Sequence, residues 1–172
     1  MLKKLAFTAL LVLISSLVLV FAGWPYQADA QIPTPMLPSY GTTRAAFFPF
    51  ERGYMFWLED ADTIYVLVYG TSELDGQFTA YPDLWQEGMP ENDPALVPPP
   101  GLFQPDRGFG LVWRTYPAVR DALGWGRGTA HGYTALVVRD NGRLMIACPD
   151  NRVYDLAGGI WHSIDYYYKP LE

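Results

Sequence analysis

The conventional catalytic material in this chain of 172 residues is sparse: two histidines, one cysteine and a scatter of carboxylates. Nucleophilic catalysis needs a serine or cysteine beside a histidine that a carboxylate orients. Two combinations stand close in sequence, Ser163 with His162 and Asp165, and Cys148 with His131. Neither carries a flanking signature. His131 beside Gly132 reads as a turn residue and His162 beside Trp161 as a half-buried strand residue. Cys148 closes the apolar run Leu144 to Cys148 and reads as a small buried hydrophobe; as the only cysteine it can form no intramolecular bridge. Glu59, Asp60 and Asp62 lack the regular spacing of a calcium loop and read as solvated turn charges. Zinc would need a cysteine or histidine cluster that is absent, so no metal or cofactor is expected.

The aromatic residues are the remaining candidates, with 6 Trp, 12 Tyr and 9 Phe. In Tyr54 to Leu58, Tyr54 and Phe56 point one way and Met55 and Trp57 the other. In Thr63 to Tyr69, Ile64, Val66 and Val68 oppose Tyr65, Leu67 and Tyr69. Both faces are apolar. One must be core, and the other is covered either by the rest of the chain or by a ligand such as a glycan, whose C–H faces stack on Trp and Tyr. Trp57, Tyr65, Trp85 and Trp161 are the residues expected to carry such binding.

The elements that would hold these rings are strands. Gly and Pro together number 31, as expected of short strands joined by tight turns. Ala45 to Phe50, Tyr54 to Leu58 and Thr63 to Tyr69 suit a three-stranded antiparallel meander. The pattern returns 89 residues later in Thr134 to Arg139, Arg143 to Cys148 and Arg152 to Leu156, where Asn141-Gly142 is a strong hairpin signal. Gly53 and Tyr65 stand twelve apart, as do Gly142 and Tyr154, which predicts an internal duplication of 45–69 in 134–158. Between the meanders, Gly70 to Gly108 holds seven prolines and reads as a surface wrap pinned by Leu84, Trp85 and Phe103. Pro117 and Gly124 bracket a two- to three-turn helix, and Gly158 to Tyr168 reads as a closing strand. The expected fold is mainly β: two related antiparallel β-meanders around a shared core, with a short inserted helix.

Ahead of this domain, Lys3 and Lys4 precede an apolar run from Leu5 to Ala22, and Ala28-Asp29-Ala30 offers a cleavage site before Gln31. Residues 1–30 thus read as a secretory signal, and the membrane is touched only through this segment if it stays uncleaved. Residues 31–44, with three prolines, read as an extended linker, and the domain is expected from Ala45 to residue 172. Removing Lys3, Lys4 and Asp29 takes the net charge from −6 to −7, which disfavours nucleic acid and anionic membranes as partners.

Phe50-Glu51-Arg52-Gly53-Tyr54-Met55-Phe56-Trp57 with Ile64-Tyr65-Val66-Leu67, and Leu123-Gly124-Trp125 leading into the second meander, resemble LGFP-type repeats of bacterial cell-envelope proteins. Arg107-Gly108-Phe109-Gly110-Leu111-Val112-Trp113-Arg114 is similar to a helix in other exported repeat proteins. The resemblance departs where Arg139 stands in place of Phe50 and where Gly126-Arg127-Gly128 follows Trp125. It implies association with the envelope and no catalytic residue. The expectation is therefore a secreted or envelope-associated, non-enzymatic module that binds a glycan, wall polymer or surface protein. An exported hydrolase using carboxylates and His162, and a purely structural spacer, are the alternatives.

Overall fold

Short turns set the topology. Phe50 pairs with Gly53 across Glu51-Arg52, and Asp140 pairs with Arg143 across Asn141-Gly142. Asn141 at φ 44° and Gly142 at φ 80° both occupy the left-handed region, the two-residue turn whose twist matches its flanking strands. Gly158-Gly159, at φ 58° and 82°, repeats this geometry between Ala157 and Ile160. A computed structural model describes residues 38–165. The signal segment 1–30, residues 31–37 of the expected linker and Tyr166 to Tyr168 lie outside the described residues.

Eight strands result: β1 Ser39–Phe50, β2 Gly53–Leu58, β3 Thr63–Tyr69, β4 Asp75–Pro82, β5 His131–Asp140, β6 Arg143–Ala147, β7 Arg152–Ala157 and β8 Ile160–Asp165. Two helices, α1 Arg107–Thr115 and α2 Pro117–Leu123, precede β5. The strands close into an antiparallel barrel in the order β1-β2-β3-β4-β8-β7-β6-β5. The fold is thus mainly β, two meanders closed around one shared barrel interior. Each meander has four strands rather than three. They are joined along β1–β5, from Ser39↔Arg139 to Phe47↔His131, and along a shorter β4–β8 seam from Asp75↔His162 to Gln77↔Ile160. Among the described residues no helix is long and apolar enough to cross a membrane.

Alternation along the strands separates two cores. Inward side chains, among them Tyr54, Phe56, Leu67, Val137, Ile146, Tyr154 and Trp161, fill the barrel. Outward side chains of the first meander, Phe48, Phe50, Met55, Ile64 and Val66, pack beneath the helices against Phe109, Val112, Trp113, Val119 and Leu123. The helices therefore cover the first meander's outer face. Leu136, Ile160 and Ile164, on the outer face of the second meander, are exposed.

Three expectations are corrected. The strand β1 begins at Ser39, inside the expected linker, because Ser39 to Arg44 gain a complete ladder partner in β5. The proline-rich wrap begins later than Gly70: Asp75–Pro82 is β4, paired with β3 along its length, and Pro82 stands at its last position. The two glycines placed at equivalent positions are one residue out of step. Gly53 is the first ladder residue after its turn, whereas Gly142 lies in the turn, so Met55 corresponds to Met145 rather than to Leu144. Tyr65 and Tyr154 do take equivalent inward positions, opposite Phe56 and Ile146.

The first hairpin turn, Glu51-Arg52, and the segment Leu123-Gly124-Trp125 meet in space. Glu51 N–H donates to Trp125 O (3.0 Å) and Arg52 N–H to Leu123 O (3.0 Å), while Trp125 N–H donates to the Glu51 carboxylate (2.8 Å). The Arg52 guanidinium donates to Ala122 O (2.8 Å) and Asp121 O (2.6 Å), carbonyls of the last turn of α2 that the helix leaves unpaired. Trp113 Nε1 donates to Gly124 O at 2.8 Å. Gly53 is required at this junction, since a Cβ there would stand 2.0 Å from Leu67 O and 2.6 Å from Leu123 Cδ2. These motif residues therefore clamp the helix pair to the first hairpin.

Candidate functional site

Beside that clamp, the outer face of the first meander is incompletely covered. Trp57, outward on β2 between Ala46 and Ile64, forms one wall of a cleft of about 360 Å³. Further lining comes from the wrap after β4, where Asp83 N–H donates to Asp62 O (2.9 Å) and the Asp83 carboxylate accepts from Trp85 N–H (3.0 Å). This turn brings Trp85 into the lining of the same cleft as Trp57. The start of α1, Asp106 to Phe109, closes one end.

The first residue of α1 is strained. Arg107 sits at φ 47°, a left-handed conformation costing a non-glycine residue about 1–2 kcal/mol. It is held there by its N–H to Glu91 O (3.1 Å) and its Nε to the Glu91 carboxylate (3.1 Å), which leaves the guanidinium 5.7 Å from the Trp85 ring centroid. Gly108 lets the Asp83 carboxylate approach, because a Cβ there would meet its oxygens at 2.5 and 2.6 Å. Burial pushes the Asp83 carboxyl above its ordinary value, the Trp85 N–H opposes that, and Asp62 adds to it. Asp106 precedes α1 with no side-chain capping bond, so a second carboxylate lines the cleft without a helix partner.

The indole nitrogens carry the clearest signal. Trp57 Nε1 and Trp85 Nε1 are both buried without an acceptor, whereas Trp113 Nε1 donates to Gly124 O (2.8 Å) and Trp161 Nε1 to Val68 O (3.0 Å). A buried donor left unpaired costs roughly 1–3 kcal/mol. The cleft thus combines two aromatic side chains and two carboxylate acceptors, with its one cation already paired to Glu91, while the N–H groups of its two indoles are buried from solvent and unmatched. Chemically this suits a ligand that donates hydrogen bonds and presents apolar C–H surface, and it repels anions.

Of the four rings expected to bind, Trp57 and Trp85 are brought together. Tyr65 projects from the opposite face of its sheet, into one mouth of the barrel. Trp161 is fully buried among Tyr54, Tyr69 and Tyr154, so it offers a ligand no surface; inward alternation on β8 and barrel closure put it in the core. Asp83, Asp106 and Arg107 were missed by sequence reasoning. A glycine inside a helix, here Gly108, was the available sign of a close approach.

The sequence neighbours considered as nucleophilic sites do not assemble. Ser163 points into the barrel and His162 out of it. The Cys148 thiol is pushed up to about 12 by burial and has Tyr133 and Asp150 as its neighbours. Glu59 and Asp60 are bound to Arg44 and Arg139, and among the described residues no three metal-ligating side chains gather.

No match was found among protein-family models, curated proteins or solved structures.

Proposed function

We propose that this protein is an exported, envelope-associated binding module without catalytic activity, and that the cleft between Trp57 and Trp85 takes a neutral glycan segment. The observation that carries this reading is the pair of indole side chains lining one cleft together with the Asp83 and Asp106 carboxylates. Sugar hydroxyls donate to the carboxylates while ring C–H faces lie on the indoles. Two carboxylates and an acidic chain disfavour polyanionic wall polymers. The two meanders are read as copies of one unit, of which only the first is covered by helices and carries the cleft. Export rests on residues 1–30, and amino-terminal sequencing of secreted protein is expected to find Gln31 first; Met1 on a membrane-bound product would replace cleavage with anchoring.

The test is binding of purified neutral wall polysaccharide by the wild type and by Trp85→Ala, with melting curves for both. Loss of binding by tenfold or more with the fold retained supports the cleft, and unchanged affinity removes Trp85 from the site. The hydrolase alternative finds one favouring observation, a carboxyl raised by burial beside a second carboxylate in the same cleft. It no longer involves His162, which faces outward from β8. Turnover of a neutral glycan abolished by Asp83→Asn would favour it over pure binding.

A further inference from the structure

The barrel interior is filled unevenly. One half is packed by Phe47, Tyr54, Phe56, Tyr154 and Trp161, with neighbouring ring centroids 4.7 to 6.4 Å apart. Toward the other end the inward positions of β1 are Ser39, Gly41, Thr43 and Ala45, none of them large. On the far side β4 continues along β3 to Pro82 but leaves β8 after Gln77, so the wall opens there. A cavity of about 420 Å³ remains at this mouth, floored by Leu144 and Leu156 and walled by Tyr65 and Phe78. Eight-stranded barrels are wide enough to be filled by side chains or to hold one small ligand, and barrel mouths are recurrent ligand sites.

The rim supplies the polar recognition. Arg139 is the inward-facing cation of β5, and its guanidinium donates to the Asp60 carboxylate at 2.9 Å, with about a third of the side chain exposed. The Tyr65 phenol lies near both groups; burial raises it above its ordinary value, so it remains a donor at neutral pH. Arg143, also at the rim, is held by Asp155. We propose that this mouth is a second binding site, distinct from the tryptophan cleft, for a small carboxylate with a flat apolar body. The body lies against Tyr65 and Phe78 over the two leucines, and the carboxylate replaces Asp60 on Arg139. The exchange keeps Arg139 paired and returns Asp60 to solvent in an exposed turn, so no buried charge is left alone.

The probe is 2-naphthoate, titrated into the full chain by calorimetry, with 2-naphthylmethanol as its uncharged counterpart. The carboxylate is expected to bind at least tenfold tighter than the alcohol. Arg139→Gln should remove that preference, Asp60→Asn should raise naphthoate affinity severalfold by freeing Arg139, and Ser39→Tyr, at the exposed start of β1, should obstruct both ligands. Trp57→Phe should leave naphthoate binding unchanged, which separates this site from the glycan cleft. Failure to bind at millimolar naphthoate, affinity unaltered by Ser39→Tyr in a protein with wild-type melting, or a carboxylate preference that survives Arg139→Gln would each overturn the assignment.

Discussion

Replacing Trp57 by phenylalanine separates binding from folding. The substitution deletes a buried donor that has no acceptor and whose presence costs roughly 1–3 kcal/mol. It also removes about 40 Å² of apolar ring surface, worth about 1 kcal/mol. The two effects oppose each other, so Trp57→Phe should fold with wild-type stability or slightly above it. Trp113→Phe is the control. It loses a similar area from a fully buried ring and strands Gly124 O, whose donor stands at 2.8 Å, for a total of about 2–4 kcal/mol. In a domain of this size 1 kcal/mol moves Tm by roughly 4 °C. Thermal unfolding followed by circular dichroism should therefore place Trp57→Phe near the wild type and Trp113→Phe roughly 10 °C below it. Glycan affinity should fall for Trp57→Phe alone. If Trp57→Phe is destabilised as much as Trp113→Phe, the Trp57 indole is satisfied within the fold and not unpaired.

Other substitutions probe the fold and its titrating groups. Gly53→Ala puts a methyl 2.0 Å from a backbone carbonyl in the β2–β3 ladder and should cost about 3 kcal/mol, read as a lowered denaturation midpoint in urea. The Asp83 carboxyl is raised in the folded state, so its charge opposes folding above the folded pKa and this penalty vanishes once pH falls below the unfolded value. Asp83→Asn should therefore be more stable than the wild type at pH 7 and equal to it near pH 3, by urea unfolding at each pH. Cys148, with its thiol pushed up to about 12, should resist a thiol reagent at pH 8 in the native protein and react promptly in urea.

Local chemistry made part of this fold readable. Asn141-Gly142, Pro117 and Gly124 fix backbone conformations by their own steric limits, so the β5–β6 hairpin and α2 stand where the sequence predicts them. The strand β4 and the first residues of β1 are different: they owe their extended form to ladder partners far along the chain, and most of their side chains face solvent. Alternation separated Trp57 from Tyr65, yet only barrel closure decides which face is interior, and that same closure buries Trp161. Trp85 could be named as an anchor of the wrap. Its place in one cleft with Trp57 depends on the Asp83 turn and on Gly108, a contact between segments 25 residues apart that no periodicity reports.

Stacking of a glycan on Trp57 and Trp85 is open to direct measurement by nitrogen–proton correlation spectroscopy of the tryptophan indoles during titration with a neutral wall oligosaccharide. The Nε1–H signals of Trp57 and Trp85, assigned from their phenylalanine variants, should shift and saturate together as the sugar stacks on their rings, while those of Trp113 and Trp161 stay in place. Saturation of the glycan with the Trp57 and Trp85 signals unmoved would contradict the assignment of the cleft as the binding site.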